Sequence, residues 1–208
     1  IAAKLDPGAS LWLPPDINCD EGVEIAKSLS PDVGLFLPRG ITGEEGAKIA
    51  QVLQSKCNLF LPSGMTGTEG VKIAAALRFD TRLYLDQSTT GEEGAKIVKG
   101  LNAKTFLSLY PAVSLKNAIK WVNALRYGVG CILNTEIEEA KRDAIQETYN
   151  KSQARFKSKG TKRKQQEGEV RIDEKEKFFT VQEVPGGAYK VLPVGMNGEK
   201  GAEIAAKL

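Results

Sequence analysis

Aromatic side chains recur at a fixed spacing in the first half of this 208-residue chain, each between two leucines. They stand 24 residues apart, at Trp12, Phe36, Phe60 and Tyr84. The middle residue of a Leu-x-Leu strand points away from the core, so this spacing predicts a column of exposed rings. Monomeric proteins rarely leave large apolar patches open, and such a column therefore predicts a contact surface for a partner protein.

Four further residues extend the predicted contact surface: Arg82, Asp86, Phe106 and Tyr110. A neighbouring column is rich in proline, which ends strand pairing and makes the surface rigid, with Pro14, Pro38 and Pro62. Two interpretations of the rings stay open. Either a partner binds them, or another part of the same chain covers them.

Residues suited to catalysis or metal binding are sparse. The chain has no histidine, which removes the commonest general base and metal ligand. The glutamates of the recurring Gly-Glu-Glu-Gly segments fit helix caps better than metal ligands, and no phosphate-binding loop or Gly-x-Ser-x-Gly motif occurs. We therefore predict no catalytic residue, no cofactor and no metal site.

The aromatic residues belong to a unit that repeats every 24 residues. The segment LFLPRGITGEEGAKIAQVL at 35–53 returns at 59–77 and at 83–101, and a related copy precedes it at 11–29. The Leu-x-Leu opening alternates with period two and predicts a short strand. A fixed period of this length is typical of a solenoid, in which each unit buries its apolar side against its neighbours.

A helix is predicted in the second half of each unit. Thr42 and Glu45 stand at capping-box spacing, and Gly46, Ile49 and Leu53 then share one helix face. The glycine recurs in every one of these units, although glycine inside a helix costs about 1 kcal/mol relative to alanine. Its repetition predicts a close approach of the helix backbone to the strand layer.

The pattern LxLxxxxIxxEGAxxIAxxL resembles the leucine-rich repeat in its ribonuclease-inhibitor-like version. The resemblance implies an α/β right-handed solenoid with a parallel sheet on the concave face and helices on the convex face. Two features depart from the family pattern. The period of 24 is shorter, and the usual asparagine is replaced by Asp16, Gly40, Gly64 and Ser88.

The repeat array is predicted to occupy residues 1–150, where its last two units are degenerate. Residues 151–187 are predicted to be an insertion, with a basic run at Lys151–Gln166 and then a β-hairpin whose arms are Phe178–Val184 and Ala188–Val194. Residues 188–208 are predicted to form a further repeat unit. Because Ile1–Leu5 matches Ile204–Leu208, we expect a piece of a longer array whose uncapped ends are available for end-to-end self-association.

Composition limits which partners and which cellular compartment are expected. The net charge of +3 does not by itself indicate nucleic acid, and the basic run contains one aromatic residue, Phe156, so nucleic-acid or anionic-membrane binding there is the weaker alternative. No apolar run is long enough to span a bilayer. Three cysteines are predicted to be reduced, which favours the cytosol: Cys19, Cys57 and Cys131.

The sequence thus predicts a non-catalytic protein-binding module. The alternative is a substrate-recognition or regulatory segment of a larger enzyme or of a secreted effector. Bacterial effectors delivered into host cells resemble that layout, and so do eukaryotic sensor proteins. An effector would act in the cytosol of the host cell.

Overall fold

A computed structural model describes residues 5, 8–158, 170–173 and 189–191. Strands and helices alternate along the chain. The strands are β1 (Ser10–Trp12), β2 (Gly34–Phe36), β3 (Asn58–Phe60), β4 (Arg82–Tyr84), β5 (Phe106–Leu109), β6 (Gly130–Asn134), β7 (Val170–Asp173) and β8 (Tyr189–Val191). The helices are α1 (Cys19–Ser28), α2 (Gly43–Val52), α3 (Gly67–Ala76), α4 (Gly91–Val98), α5 (Leu115–Ala124) and α6 (Glu139–Ser158).

The described strands form one parallel sheet in the order β7-β6-β5-β4-β3-β2-β1-β8. From β1 to β6 each strand pairs with the next one along the chain, and the register of Leu35 with Leu59 repeats the 24-residue period. A helix connects each strand to the next, and successive helices pack side by side. The predicted α/β solenoid arrangement is therefore confirmed.

The two leucines of each strand motif fill the core between the sheet and the helices. Leu35 and Leu59 are fully buried, and Leu37 and Leu61 nearly so. Ile49, from the helix face predicted above, is also fully buried. The apolar residues that alternate along the strands and those that share one face of the helices therefore pack together in one continuous apolar layer.

A glycine in each of α1 to α4 receives a side chain from the following helix. A Cβ atom at Gly46 would lie 2.5 Å from Cδ1 of Ile73 but 3.5 Å from Cδ1 of the strand residue Leu37. The predicted close approach exists, but its main partner is the next helix and not the strand layer. We call this contact the glycine notch.

The last glycine notch holds a larger group. A Cβ atom at Gly94 would collide with Nε1 of Trp121. The indole is fully buried, and its Nε1 donates a hydrogen bond to the carbonyl oxygen of Thr90 at 3.2 Å. The flat rigid ring takes the place that isoleucine fills in the earlier units.

The predicted helix caps are present, but two of their glutamates serve the neighbouring unit. Asn18 and Thr42 form complete capping boxes with Glu21 and Glu45. Later in the array the threonine still caps its own helix, yet the Glu93 carboxylate accepts a hydrogen bond from the backbone N–H of Gly67, in the preceding unit. Glu69 makes the equivalent contact with Gly43.

A turn with a left-handed residue precedes each of the first six strands. The residue is Asp32, Lys56, Asp80 or Lys104 at the inner positions and glycine at 8 and 128. These turns are bonded from unit to unit, as in the hydrogen bond from Lys56 N to Asp80 O at 2.8 Å. The left-handed conformation of four non-glycine residues was not predicted from the sequence.

The end of the array differs from the prediction. Helix α6 crosses residue 151 and continues to Ser158, twice the length of α5. Gln153 is buried and accepts a hydrogen bond from Gly128 N, so the start of the predicted insertion packs as part of the solenoid. Strand β7 lies inside that predicted insertion and extends the sheet beside β6.

Strand β8 occupies the opposite edge of the sheet. It pairs in parallel with β1, and the register places Trp12 opposite Val191. The predicted hairpin arm at Phe178–Val184 lies outside the described residues. The second arm supplies β8, which is therefore joined to the first repeat unit.

The glycine notch predicts that replacing glycine by alanine destabilises the protein, which is the opposite of the usual effect in a helix. Alanine normally stabilises a helix relative to glycine by about 1 kcal/mol, but a methyl group at Gly94 would collide with the Trp121 ring. We expect Gly94→Ala to lower the free energy of unfolding by about 1–3 kcal/mol through overpacking. Gly46→Ala should cost less, because Ile73 can rotate. A urea titration that shows stabilisation by Gly94→Ala would contradict the notch.

The glutamate that caps the preceding unit predicts a pH dependence. Hydrogen bonding to Gly67 N–H, together with Lys96, lowers the pKa of the Glu93 carboxyl. This carboxylate therefore stabilises the fold above its ordinary pKa, and the contribution is lost as the pH falls through the lowered value. Glu93→Gln should lower the urea midpoint of unfolding at neutral pH. The midpoint of this variant should also fall less steeply than that of the unmodified protein as the pH is lowered.

The control for this measurement is Glu24→Gln. Glu24 pairs with Lys27 on the same helix, and both side chains are more than half exposed. Isolated exposed pairs contribute little to stability. Equal effects of the two substitutions would show that Glu93 does not bridge the units.

Candidate functional site

The four aromatic residues predicted from the repeat form one stacked column, called here the aromatic ladder (Trp12, Phe36, Phe60 and Tyr84). They occupy paired positions on neighbouring strands. Successive ring centroids are 4.0, 4.0 and 4.3 Å apart, and the interplanar angles are 4°, 8° and 16°. The rings lie face to face on the sheet side that alternates away from the leucine core, called here the ladder face.

Stacking closes both faces of Phe36 and Phe60, and one face of Trp12, to a ligand. A planar group inserted between two rings would need them about 7 Å apart, because carbon atoms pack at about 3.5–4.0 Å. The outward-pointing edges carry the positive end of the ring quadrupole. The ladder therefore offers an apolar strip that also suits carbonyl and carboxylate oxygens, and it offers no slots for nucleobases or sugar rings.

The aromatic ladder is partly open at one end and buried at the other. Its first three rings are half-buried, whereas Tyr84 is only 1% exposed. The next positions of the same column, Ser108 and Ile132, are also buried. The prediction of an exposed ring is therefore wrong at Tyr84, because this half of the ladder face is packed against other atoms of the chain.

Arg82 and Phe106 occupy the column that precedes the ladder. They pair with each other across β4 and β5. Arg82 is half-buried, whereas Phe106 is 5% exposed, which corrects the expectation that its ring is open to a partner. Phe106 therefore belongs to the packed half of the ladder face, whereas Arg82 is as accessible as the rings of the open half.

Asp86 and Tyr110 occupy the column that follows the ladder. Asp86 accepts a hydrogen bond from Ser88 N at 2.9 Å and so closes its own turn. The Tyr110 hydroxyl donates to the carbonyl oxygen of Leu85 at 2.8 Å, and burial, with a smaller effect of Asp86, raises the pKa of Tyr110. Both side chains are half-buried and engaged in local structure.

The prolines of this third column stand where strand pairing ends. Leu37 N donates to Phe60 O at 3.1 Å, and Leu61 N donates to Tyr84 O at 3.0 Å. Pro38 and Pro62 follow these last paired residues and have no N–H to offer. The predicted role of proline as a strand terminator is confirmed.

A glycine beside the aromatic ladder makes room for one of its rings. A Cβ atom at Gly34 would lie 3.0 Å from Cε2 of Phe60 and 2.6 Å from Oγ of Ser10. The Phe60 ring therefore leans across the neighbouring strand. Sequence reasoning missed this position, whose signal is a lone glycine directly before Leu-x-Leu.

Two buried oxygen atoms on the ladder face have no hydrogen-bond partner among the described residues. They are Oδ1 of Asn58 and Oγ of Ser108. Most buried polar groups are paired in native proteins, so both atoms are exceptions to the usual pattern. The repeat pattern places Ser108 in the column of the rings, whereas Asn58 was not singled out from the sequence.

The described residues offer little for catalysis or metal binding. No group of three His, Cys, Asp or Glu side chains comes together within them. Burial raises the pKa of the Cys57 thiol to about 11 and that of Cys131 to about 12, so both stay protonated at neutral pH. All three cysteines are free, and Cys19 is half-buried at the start of α1.

The basic run begins on a helix and not in a loop. Lys151 and Arg155 are exposed on the last turns of α6, and Lys151 pairs with Glu147. Phe156 packs at a tilt against Tyr127, with ring centroids 6.2 Å apart. The basic residues from 159 to 164 lie outside the described part of the chain.

No protein-family model, curated protein or solved structure matches this chain. Among the described helices, none combines the length and apolar character needed to cross a bilayer. The binding properties of the protein are therefore inferred from the ladder face itself.

The uneven burial of the ladder predicts unequal losses of stability. Tyr84→Ala removes a buried ring and should lower the free energy of unfolding by about 3–5 kcal/mol. Phe36→Ala removes a half-buried ring between two stacked neighbours and should cost about 1–2 kcal/mol. Denaturant titrations compare the free energies of unfolding of the two variants directly. A larger loss for Phe36→Ala than for Tyr84→Ala would show that Phe36 is the more tightly packed ring, which contradicts the structure.

Proposed function

We propose that this protein is a leucine-rich-repeat array that binds a polypeptide partner through the open half of its ladder face. The observation that carries the proposal is the stack of three half-exposed rings, Trp12, Phe36 and Phe60. Such a patch is an interface signature, because aromatic anchors dominate binding energy at the centre of interfaces. The terminating prolines beside it keep the surface rigid, which lowers the entropy lost on binding.

The ring spacing supports a concave shape for this face. Neighbouring strands lie about 4.8 Å apart, whereas the ring centroids are 4.0 to 4.3 Å apart. Side chains converge in this way on the inner side of a curved sheet. A concave surface favours an extended partner segment that lies across the strands.

The chemistry of the strip favours a polypeptide over other ligands. Ring edges accept apolar side chains and carbonyl oxygens, and a peptide supplies both. Nucleobases and sugars bind aromatic residues through ring faces, and the stack closes both faces of Phe36 and Phe60. The three free thiols suit a reducing compartment, so we propose a cytosolic partner.

The test is selection from a displayed library of random peptides on the immobilised full chain, with counter-selection on Phe36→Ser/Phe60→Ser. Affinities of the enriched peptides are then measured by titration calorimetry. We expect binding to fall at least tenfold in the double variant. The control is Phe79→Ser, because Phe79 is 59% exposed and lies off the ladder, in the turn before β4.

Two outcomes would contradict the proposal. Peptides that bind the double variant unchanged would remove the ladder as the site. Tight, salt-sensitive binding of a single-stranded oligonucleotide or of anionic vesicles, lost on changing Lys151 and Arg155 to glutamine, would instead favour the basic helix end.

A further inference from the structure

The turns that precede the strands carry exposed cations along one edge of the solenoid. We call the four turns before β3, β4, β5 and β6 the turn edge, which comprises residues 54–56, 78–80, 102–104 and 126–128. Its charged side chains are Lys56, Arg78, Asp80, Lys104 and Arg126. All four cations are exposed, whereas the acid is half-buried. The turn edge therefore presents a surplus of positive charge to solvent.

The opposite edge of the solenoid, where the helices begin, is acidic. The first turns of α1 to α4 carry carboxylates, which are Asp20, Glu21, Glu44, Glu45, Glu69, Glu92 and Glu93. Charge of opposite sign on the two edges creates a field across the molecule, and such fields steer charged ligands. A polyanion is therefore drawn to the turn edge and repelled from the edge where the helices begin.

An exposed aromatic ring stands within this row of cations. Phe79 is 59% exposed and follows Arg78 directly in its turn. Nζ of Lys104, from the next turn, lies 5.2 Å from the centroid of the Phe79 ring. The ring face is therefore covered by an exposed lysine and not by the core. A planar group can stack on this face once the lysine side chain rotates away.

A second aromatic ring lies two repeat periods after the first. Tyr127 occupies the position in its turn that Phe79 occupies earlier, and the small side chain of Ala103 stands at the position between them. Two strand steps separate these turns by about 10 Å. A planar group between two rings needs them about 7 Å apart, because carbon atoms pack at about 3.5–4.0 Å. The turn edge therefore has room for a stacked base, which the aromatic ladder lacks.

Hydrogen bonds hold the turns of this edge in fixed positions. Oγ1 of Thr81 donates to the carbonyl oxygen of Arg78 at 2.6 Å and closes the turn that bears Phe79. Successive turns are joined by Asp80 N to Lys104 O at 2.8 Å and by Lys104 N to Gly128 O at 2.7 Å. The backbone that carries the cations is therefore ordered before a ligand binds, which lowers the entropy lost on binding.

We propose that the turn edge binds single-stranded nucleic acid. A base stacks on the face of Phe79, and the displaced Lys104 pairs with a phosphate, as do Arg78 and Arg126. Proteins that bind single strands combine cations along the backbone with aromatic rings that stack on bases. The bases of a duplex already stack on one another, so the site prefers a single strand. It lies apart from the ladder face, and the proposal therefore stands independently of the proposed function.

Fluorescence anisotropy of a labelled single-stranded oligonucleotide of about 12 nucleotides, titrated with the full chain at low salt, tests this proposal. Phe79→Leu keeps an apolar side chain but removes the ring. We expect its affinity to fall about tenfold, because stacking on the ring is lost. Phe79→Trp should bind at least as tightly as the unmodified chain. Because Phe79 is exposed, both variants should keep the urea midpoint of the unmodified chain.

The salt dependence of binding reports on the cations. For single strands, each phosphate contact contributes about 0.7 to the slope of log affinity against log salt concentration. Arg78→Gln and Arg126→Gln should therefore each reduce this slope by about 0.7. The matched control is Lys116→Gln, because Lys116 is equally exposed but lies at the start of α5, on the opposite edge. This control should leave the slope unchanged.

Several results would overturn the proposal. They are the absence of binding at low salt, equal affinity of Phe79→Leu and the unmodified chain, and equal affinity for a duplex of the same sequence. Binding of anionic vesicles that Phe79→Leu retains would identify a membrane surface instead. Loss of oligonucleotide binding in Lys151→Gln/Arg155→Gln but not in Phe79→Leu would place the site at the end of α6.

The ladder variant separates this site from the proposed peptide site. Phe36→Ser/Phe60→Ser should bind the oligonucleotide with unchanged affinity, because neither ring lies on the turn edge. Loss of oligonucleotide binding in this variant would assign the nucleic acid to the ladder face and overturn the proposal.

Discussion

The glycine notch is the contact on which the stacking of this solenoid depends. Strands in a sheet lie about 4.8 Å apart, but packed helices normally keep their axes 8–10 Å apart, so a stack of strand–helix units must curve unless its helices come closer. A glycine at the contact removes the Cβ atom and admits Ile73 or Ile97 of the next unit. The notch therefore limits the mismatch between the strand layer and the helix layer.

Much of this architecture could be predicted from local patterns, because each unit repeats the same local physics. The Leu-x-Leu alternation, the threonine caps and the terminating prolines depend on neighbours within a few residues. The contacts that sequence reasoning missed are contacts between units. The Glu93 carboxylate bonds Gly67 in the preceding unit, and the glycine faces the next helix, not its own strand. A pattern with a fixed period does not reveal whether a side chain contacts the preceding unit or the following unit.

Prediction from the sequence was limited in a similar way at the ladder face. Alternation correctly placed Trp12 and Tyr84 in one column. It could not distinguish a half-buried ring from one that is 1% exposed, because alternation fixes the side of the sheet on which a side chain lies and not what surrounds it. Four non-glycine residues in left-handed turns were missed for a related reason. Asp32 and Lys56 are chemically unlike, and only the backbone shared by their turns makes them equivalent.

The glycine notch also bears on how such a chain can change in length over generations. Each unit receives a side chain from the unit after it and offers an equivalent one to the unit before, so the donor and acceptor surfaces of α2 and α3 are nearly interchangeable. A duplication of 24 residues within this part of the gene would therefore create a junction that already fits. Trp121 ends that freedom, because the bulky ring needs the particular space at Gly94 and fixes where new units can be inserted.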